Sequence, residues 1–300
     1  AGRMGGLPRP HSRPIYAARG THEGFGARFV PFFDASDNLN FVEGAIGVPS
    51  IALINWDDYY IHSSDDDLWQ IDQTQLERNA FIIASMAYYF GKAEKDQTNL
   101  LLSETYAQGN KRLANDLQAA FNQLQTVSNK TDAWKNANIL IEQGILRELR
   151  ALNSVSKFAG SDAAANRSIA AMVTQMKARQ KGLFIEISDL YKRTNGIEKL
   201  PSLAPDETEL AASKKIPVNH KVLDTYFEKR VRNADGTTLH PTMRTELLNF
   251  VDGKRSYFDI YKALQAEALA AGTWYYGTVK LQDVIKVLDA NIEAGAMSLK

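Results

Sequence analysis

Residues 47–72 read "GVPSIALINWDDYYIHSSDDDLWQID", and the rest of the chain takes its meaning from this order of apolar run, histidine and acid. Gly47 and Pro49 lead into the continuous apolar run "VPSIALINW" at 48–56. A short apolar run behind a Gly/Pro lead-in has the profile of a strand buried on both faces of a sheet. His62 follows within a few residues, beside Ser63, Ser64 and the three aspartates Asp65, Asp66 and Asp67. Loops beyond the carboxyl ends of strands in open α/β sheets are where ligands bind. One imidazole does not make a metal site, because zinc takes three or four protein ligands. Nor can three adjacent carboxylates all face one point, so at most one or two of them face His62. They serve equally well to cap and solvate a helix start, at the positive end of its dipole. A calcium loop fits less well, since calcium sites space carboxylates at alternate positions around a glycine turn that "SSDDDLWQID" lacks.

Downstream, "TQLERNAFIIASMAYYFG" (74–91) places Leu76, Ala80, Ile83, Ala87 and Phe90 at helical spacing. Asp72 or Thr74 is suited to cap its start, and Gly91 to stop it. Upstream, "ARFVPFF" (27–33) is a second β-rich run, and "DASDNLNFVEGAIG" (34–47) has the turn and cap residues of a short helix. This first segment is therefore α/β in character, with too few strands for a whole domain.

Residues 93–200 change period. Leu113, Leu117, Phe121 and Leu124 recur at three- and four-residue steps, as do Ile141, Ile145, Leu149 and Leu152. The same holds for Ile169, Val173, Met176, Leu183, Ile187 and Leu190. Three long amphipathic helices divided by "SNKTD" and "FAGSD" predict an antiparallel bundle. Residues 201–240 read as a linker or wrapping segment. Residues 241–300 read as helix, an Asp-Gly turn at 252–253, helix, a short extended piece and helix, a winged-helix-like unit.

Composition closes off several classes of function. The 300 residues are 44% hydrophobic with a formal net charge of zero, which gives no electrostatic reason to expect nucleic acid or an anionic membrane as partner. Lys254 and Arg255 beside a turn make no phosphate-tracking face. No apolar run approaches the roughly 20 residues of a membrane span. The absence of cysteine excludes disulfides, thiolate metal sites and a cysteine nucleophile. The glycine-rich "GRMGG" and "GFGAR" do not join a strand to a helix and are not phosphate loops. The opening "AGRMGGLPRPHSRP" lacks an initiator methionine and a signal-peptide pattern, and reads as beginning inside a longer protein.

The 47–72 stretch resembles the final strand and metal-ligand loop of the co-catalytic zinc aminopeptidases. This is metallopeptidase family 28, which also holds glutamate carboxypeptidase and the inactive transferrin receptor ectodomain. The family pattern is a Gly-hydrophobic-Pro lead-in, an apolar strand, then His-Ser/Thr-x-x-Asp. Its zinc-ligand histidine falls on His62 and its aspartate on Asp66, where the resemblance implies a role in fixing the ligand loop. "ASDNLNF" is similar to the Ser-Asp-His-x-x-Phe segment bordering the substrate pocket: Ser36, Asp37 and Phe41 match, while Asn38 replaces the histidine. Ile61 stands where some members carry a tyrosine, so the resemblance carries no oxyanion role over to Tyr59 or Tyr60, and Tyr60 is placed only beside the ligand loop. The resemblance covers residues 15–91. The tail "NFVDGKRSYFDIYKALQAE" is similar to the small C-terminal module of larger bacterial members.

The fold expected is α+β and predominantly α. Residues 1–92 would be the C-terminal strands and helix of an α/β zinc-exopeptidase sheet domain, 93–200 a long-helix bundle and 241–300 the winged-helix-like unit. The resemblance implies a hydrolase using two zinc ions, a peptide substrate, and a periplasmic or secreted location. The family's remaining ligands come as a His-x-Asp pair, a Glu-Glu pair and a further Asp. Neither His-x-Asp nor Glu-Glu occurs in the chain, and His11 and His22 sit in Gly/Pro/Arg-rich segments without matching partners. The general base and most ligands are thus expected in an upstream half of the same peptidase, with no catalytic residue in this chain. The alternative is a non-catalytic aminopeptidase-fold protein, for binding or for homodimerisation through the long helices.

Overall fold

A computed structural model describes residues 29–34, 36–54, 59–93 and 95–300. In chain order the helices begin with the single turn α1 (Leu39–Val42) and α2 (Gln73–Lys92). Then come α3 (Thr98–Thr126), α4 (Lys130–Ser154), the short α5 (Ser156–Ala159) and α6 (Ala163–Asn195). The chain continues through α7 (Glu207–Ser213), strand β1 (Pro217–Asn219), α8 (Leu223–Lys229) and α9 (Pro241–Asn249). It ends with α10 (Tyr257–Ala271), α11 (Thr273–Tyr276), α12 (Leu281–Glu293) and strand β2 (Met297–Leu299). Two compact units result, one holding residues 51–93 and the other residues 31–50 together with everything after 93. The protein is predominantly helical, as expected.

The bundle follows its sequence period closely. Asn129 caps α4 by accepting the backbone N–H groups of Thr131 and Asp132 at 3.0 and 3.3 Å. Asp162 does the same for α6 through Ala164 and Ala165 at 2.8 and 2.9 Å. Gly196 ends α6 in the left-handed region, φ +62°, which glycine adopts without strain. Every apolar position named above for the three helices is buried in this core or packs against it. Trp134 is its largest buried side chain, with Phe184 and Tyr191 at ring-centroid distances of 5.7 and 5.2 Å. Contacts of Gln123 with Asn136, Arg147 with Asp116 and Arg112 with Glu148 run in opposite directions along α3 and α4, so the pair is antiparallel.

A line of charge sits inside that helix pair. Glu148, almost fully buried, accepts Arg112 at 2.9 and 2.6 Å and Arg147 at 2.7 Å, while Arg147 also reaches Asp116 at 2.7 Å. Burial pushes the Glu148 carboxyl up, but the hydrogen bonds and charges of the two guanidiniums outweigh it and hold the group below its ordinary value. At Asp116 burial wins over Arg147, and the carboxyl is raised. Two helix glycines make the room: a Cβ on Gly109 would lie 2.7 Å from Glu148 Oε2, and one on Gly144 2.5 Å from Asp116 Oδ2.

The second core lies in the C-terminal module. Residues 201–240, expected as a linker or wrapping segment, carry α7, β1 and α8 and bury Ala212, Tyr226 and Leu239 in it. Residues 241–300 carry α9, α10, the single turn α11 and α12, with α11 additional to the helices expected. Asp252 makes the turn by accepting the N–H groups of Lys254 and Arg255, with Gly253 at φ +70°. β1 and β2 pair antiparallel with Val218 opposite Ser298. The module joins the bundle through α4, where Lys262 pairs with Glu142 at 2.7 Å and Gln265 with Asn136 at 3.2 Å.

The strand expectation is corrected. Residues 29–33 and 48–54 are not strands, and Ile51, Leu53 and Ile54 are exposed. Strand backbone is stable only when its N–H and C=O groups pair with a neighbour. The β1–β2 pair is the sheet among the described residues, and it lies elsewhere. Residues 27–28 and 55–56 of those runs, with His11, His22 and both glycine-rich segments, lie outside the described residues.

The two glycine environments predict opposite outcomes. Gly182, inside α6 with no atom within 4 Å of a would-be Cβ, should gain about 0.5–1 kcal/mol of stability on Gly182→Ala. Gly144→Ala should instead lose about 1–3 kcal/mol, because Asp116 is held in place by Arg147. Denaturant unfolding of both variants beside the wild type reads the two signs.

Candidate functional site

The residues singled out from sequence lie in two pieces, one in each compact unit. The first is the loop 59–72. It is tied by its own short-range bonds: Ser63 N–H to the Tyr60 carbonyl at 2.9 Å, Asp66 N–H to the Ser63 carbonyl at 3.3 Å and Asp67 N–H to the Asp65 carbonyl at 3.0 Å. The Gln70 side chain donates to the Asp65 carbonyl. Tyr60 packs edge-on against Trp69 with ring centroids 5.7 Å apart. The aspartates divide their work. Asp67 caps a single 3-10 turn at Leu68–Gln70, accepting Leu68 N–H at 2.6 Å. Asp72 caps α2 through Thr74 and Gln75 at 2.8 and 3.1 Å. Capping thus accounts for Asp67 and Asp72, and Asp66 stays on the exposed side of the loop.

His62 is exposed at the head of this loop. Its φ is +63°, and among the described residues it is the one non-glycine with positive φ. A left-handed non-glycine residue costs on the order of 1–3 kcal/mol, and such outliers cluster at functional positions. Among the described residues no group of three or more His, Asp or Glu side chains is arranged to hold a metal ion. Among the described residues His62 is therefore a single accessible imidazole in its loop, with no ligand set around it.

α2 follows this loop as expected, and extends one residue beyond Gly91 to Lys92. Its apolar side chains are exposed, Leu76, Ile83 and Tyr88 by 58%, 57% and 72%.

The second piece, residues 32–47, belongs to the C-terminal module. Ser36 and Asp37 open α1, their carbonyls accepting Leu39 and Asn40 N–H at 2.9 and 3.2 Å. Phe41 is half exposed. Asn38 sits at the cap position without a capping bond, and its Oδ1 is buried with no hydrogen-bond partner. An unsatisfied buried acceptor costs about 1–3 kcal/mol.

This segment is gripped on both sides of α1. Before it, Asp34 accepts the hydroxyls of Thr242 and Thr245 at 3.1 and 2.7 Å, and the Phe32 carbonyl accepts Tyr276 Oη–H. After it, Glu43, 4% exposed, is paired with Arg230 and with Arg232 at 3.2 Å. Gly44 N–H donates to Asn249 Oδ1 at 2.8 Å. The backbones meet so closely there that a Cβ on Gly44 would lie 2.6 Å from Asn249 Cα. These anchors join residues about two hundred positions apart, and no local sequence signal marks them.

Beside the Asp34 anchor, Glu246 and Glu267 form a half-buried carboxyl pair. Burial raises both, Glu246 well above its ordinary value and Glu267 to about 7. Glu267 and Asp34 add repulsion at Glu246, while Arg147 and the Tyr276 hydroxyl favour the charged form of Glu267. Tyr276 itself is raised by burial and by the surrounding carboxylates.

No helix of the described residues is long and apolar enough to cross a membrane. The chain matches no protein-family model, no curated protein and no solved structure.

The carboxyl pair yields a pH dependence of definite sign. The folded state holds protons on Glu267 more tightly than the unfolded chain, so its contribution is greatest at low pH and is lost as pH rises from the ordinary 4.5 through about 7. Glu267→Gln stays neutral throughout. Its melting temperature should gain on that of the wild type between pH 5 and 8, by about 2–4 °C for each kcal/mol involved. A difference that stays flat across that range would count against the shifted carboxyl.

Proposed function

We propose that this chain is part of a zinc-dependent exopeptidase of the aminopeptidase type, with His62 as one metal ligand and most other ligands on polypeptide outside residues 1–300. The observation that carries the reading is His62 itself, an exposed imidazole held at positive φ by a self-bonded loop. The order of residues around it supports the assignment, as do the exposed apolar side chains of α2, which suit a helix from the flank of a sheet. Two zinc ions in such a site would supply a bound water of lowered pKa and polarisation of the scissile carbonyl. His62 would serve that centre as ligand and Asp66 as orienter of the ligand loop; by the resemblance alone, Ser36 and Asp37 would border a pocket for the peptide terminus. Tyr60, packed on Trp69, would steady the loop. The partner is then the upstream half of the same peptidase, and the location periplasmic or secreted, in keeping with the resemblance.

Intact mass and zinc content of the native protein test this directly. The expected result is an additional upstream polypeptide with about two zinc ions per complex. His62→Ala should remove one of them, and Asp66→Asn should weaken zinc binding about 10–100-fold. A metal-free 33.4 kDa species that hydrolyses no peptide would overturn the reading in favour of a non-catalytic binding or dimerisation protein.

A further inference from the structure

α1 has four residues, buries none of them and lacks a side-chain cap. One helical turn does not hold itself, because nucleation fixes several dihedrals for a single hydrogen bond. Its position must therefore come from elsewhere, and the anchors fall on either side of it: Phe32 and Asp34 before, Glu43 and Gly44 after. Glu43 is the strongest of these, since a nearly buried carboxylate is tolerated only while its charge is paired. Gly44 is the tightest, set by backbone against backbone.

We propose that the C-terminal module positions the border of the substrate pocket, with Arg230, Arg232 and Asn249 as positioning residues acting on Ser36, Asp37 and Phe41 through Glu43 and Gly44. The inference rests on the reading of residues 36–41 as that border. The module, more than two hundred residues along the chain in places, then sets how the peptide terminus is received without touching it.

Two variants of the native protein test it. Gly44→Ala drives the loop from Asn249 and leaves every charge in place, while Arg232→Gln removes one partner of Glu43 and Arg232→Lys restores the charge. Amide exchange across residues 38–47 and the kinetics of peptide hydrolysis are both read. The expected result is exchange faster by about tenfold in Gly44→Ala and Arg232→Gln. KM should rise about tenfold with kcat within about twofold, and Arg232→Lys should recover most of both changes. Unchanged exchange overturns the clamp, whatever the kinetics. Faster exchange with an unaltered KM overturns the positioning role. If the wild type hydrolyses no peptide while exchange still rises in the variants, the peptidase reading falls and the positioning role with it, and the clamp alone stands.

Discussion

α4 packs into the bundle core and also carries the contacts to α10, and that double role holds the larger unit together. One side of the helix packs into the bundle through Trp134, Leu140, Ile141 and Ile145. Another takes the Lys262 ion pair and the Gln265 amide contact from α10. Its rotation is fixed between them by Glu148, which accepts two guanidiniums from within the α3–α4 contact. A buried carboxylate left without those partners costs several kcal/mol, so the register of α3 on α4 is set by charge as much as by shape. Gly109 and Gly144, poor helix formers in isolation, stand where a methyl group would strike the carboxylates.

How much of this was legible in the chain depended on how far each element's partners lay from it. The bundle helices were readable because their period, caps and stops are local: Asn129, Asp162 and Gly196 act on residues within one turn of themselves. The apolar run at 48–56 looked like a strand by the same local criteria. A strand is completed by its neighbours, however, and the described part of that run has none. Residues 201–240, with their prolines, concealed a strand and two helices whose apolar side chains are spaced too sparsely to show a period. The His62 loop was found from its order of residues, but the left-handed backbone of His62 had no signature in the sequence. The grip on residues 32–44 had none either, since Asp34, Glu43 and Gly44 are unremarkable until set against α9 and the arginines.

The two units differ in how far they satisfy themselves. The larger one has two hydrophobic cores, one in the bundle and one in the C-terminal module. The smaller one has orderly loops and a well-capped helix, yet shows Leu76, Ile83 and Tyr88 to solvent. Local hydrogen bonding and global burial are usually met together in a folded domain. Among the described residues of the smaller unit the first is met and the second is not.

The grip on residues 32–44 also has a consequence in time. The Gly44 N–H and the Asn249 side chain that accepts it are 205 residues apart. At synthesis rates of about 5–20 residues per second, Asn249 is made about 10–40 s after Gly44. The segment that borders the proposed pocket is thus made well before it can be seated. Until α9 emerges, Glu43 has neither arginine beside it for most of that interval, and any chaperone or companion polypeptide that meets the nascent chain finds this segment still open.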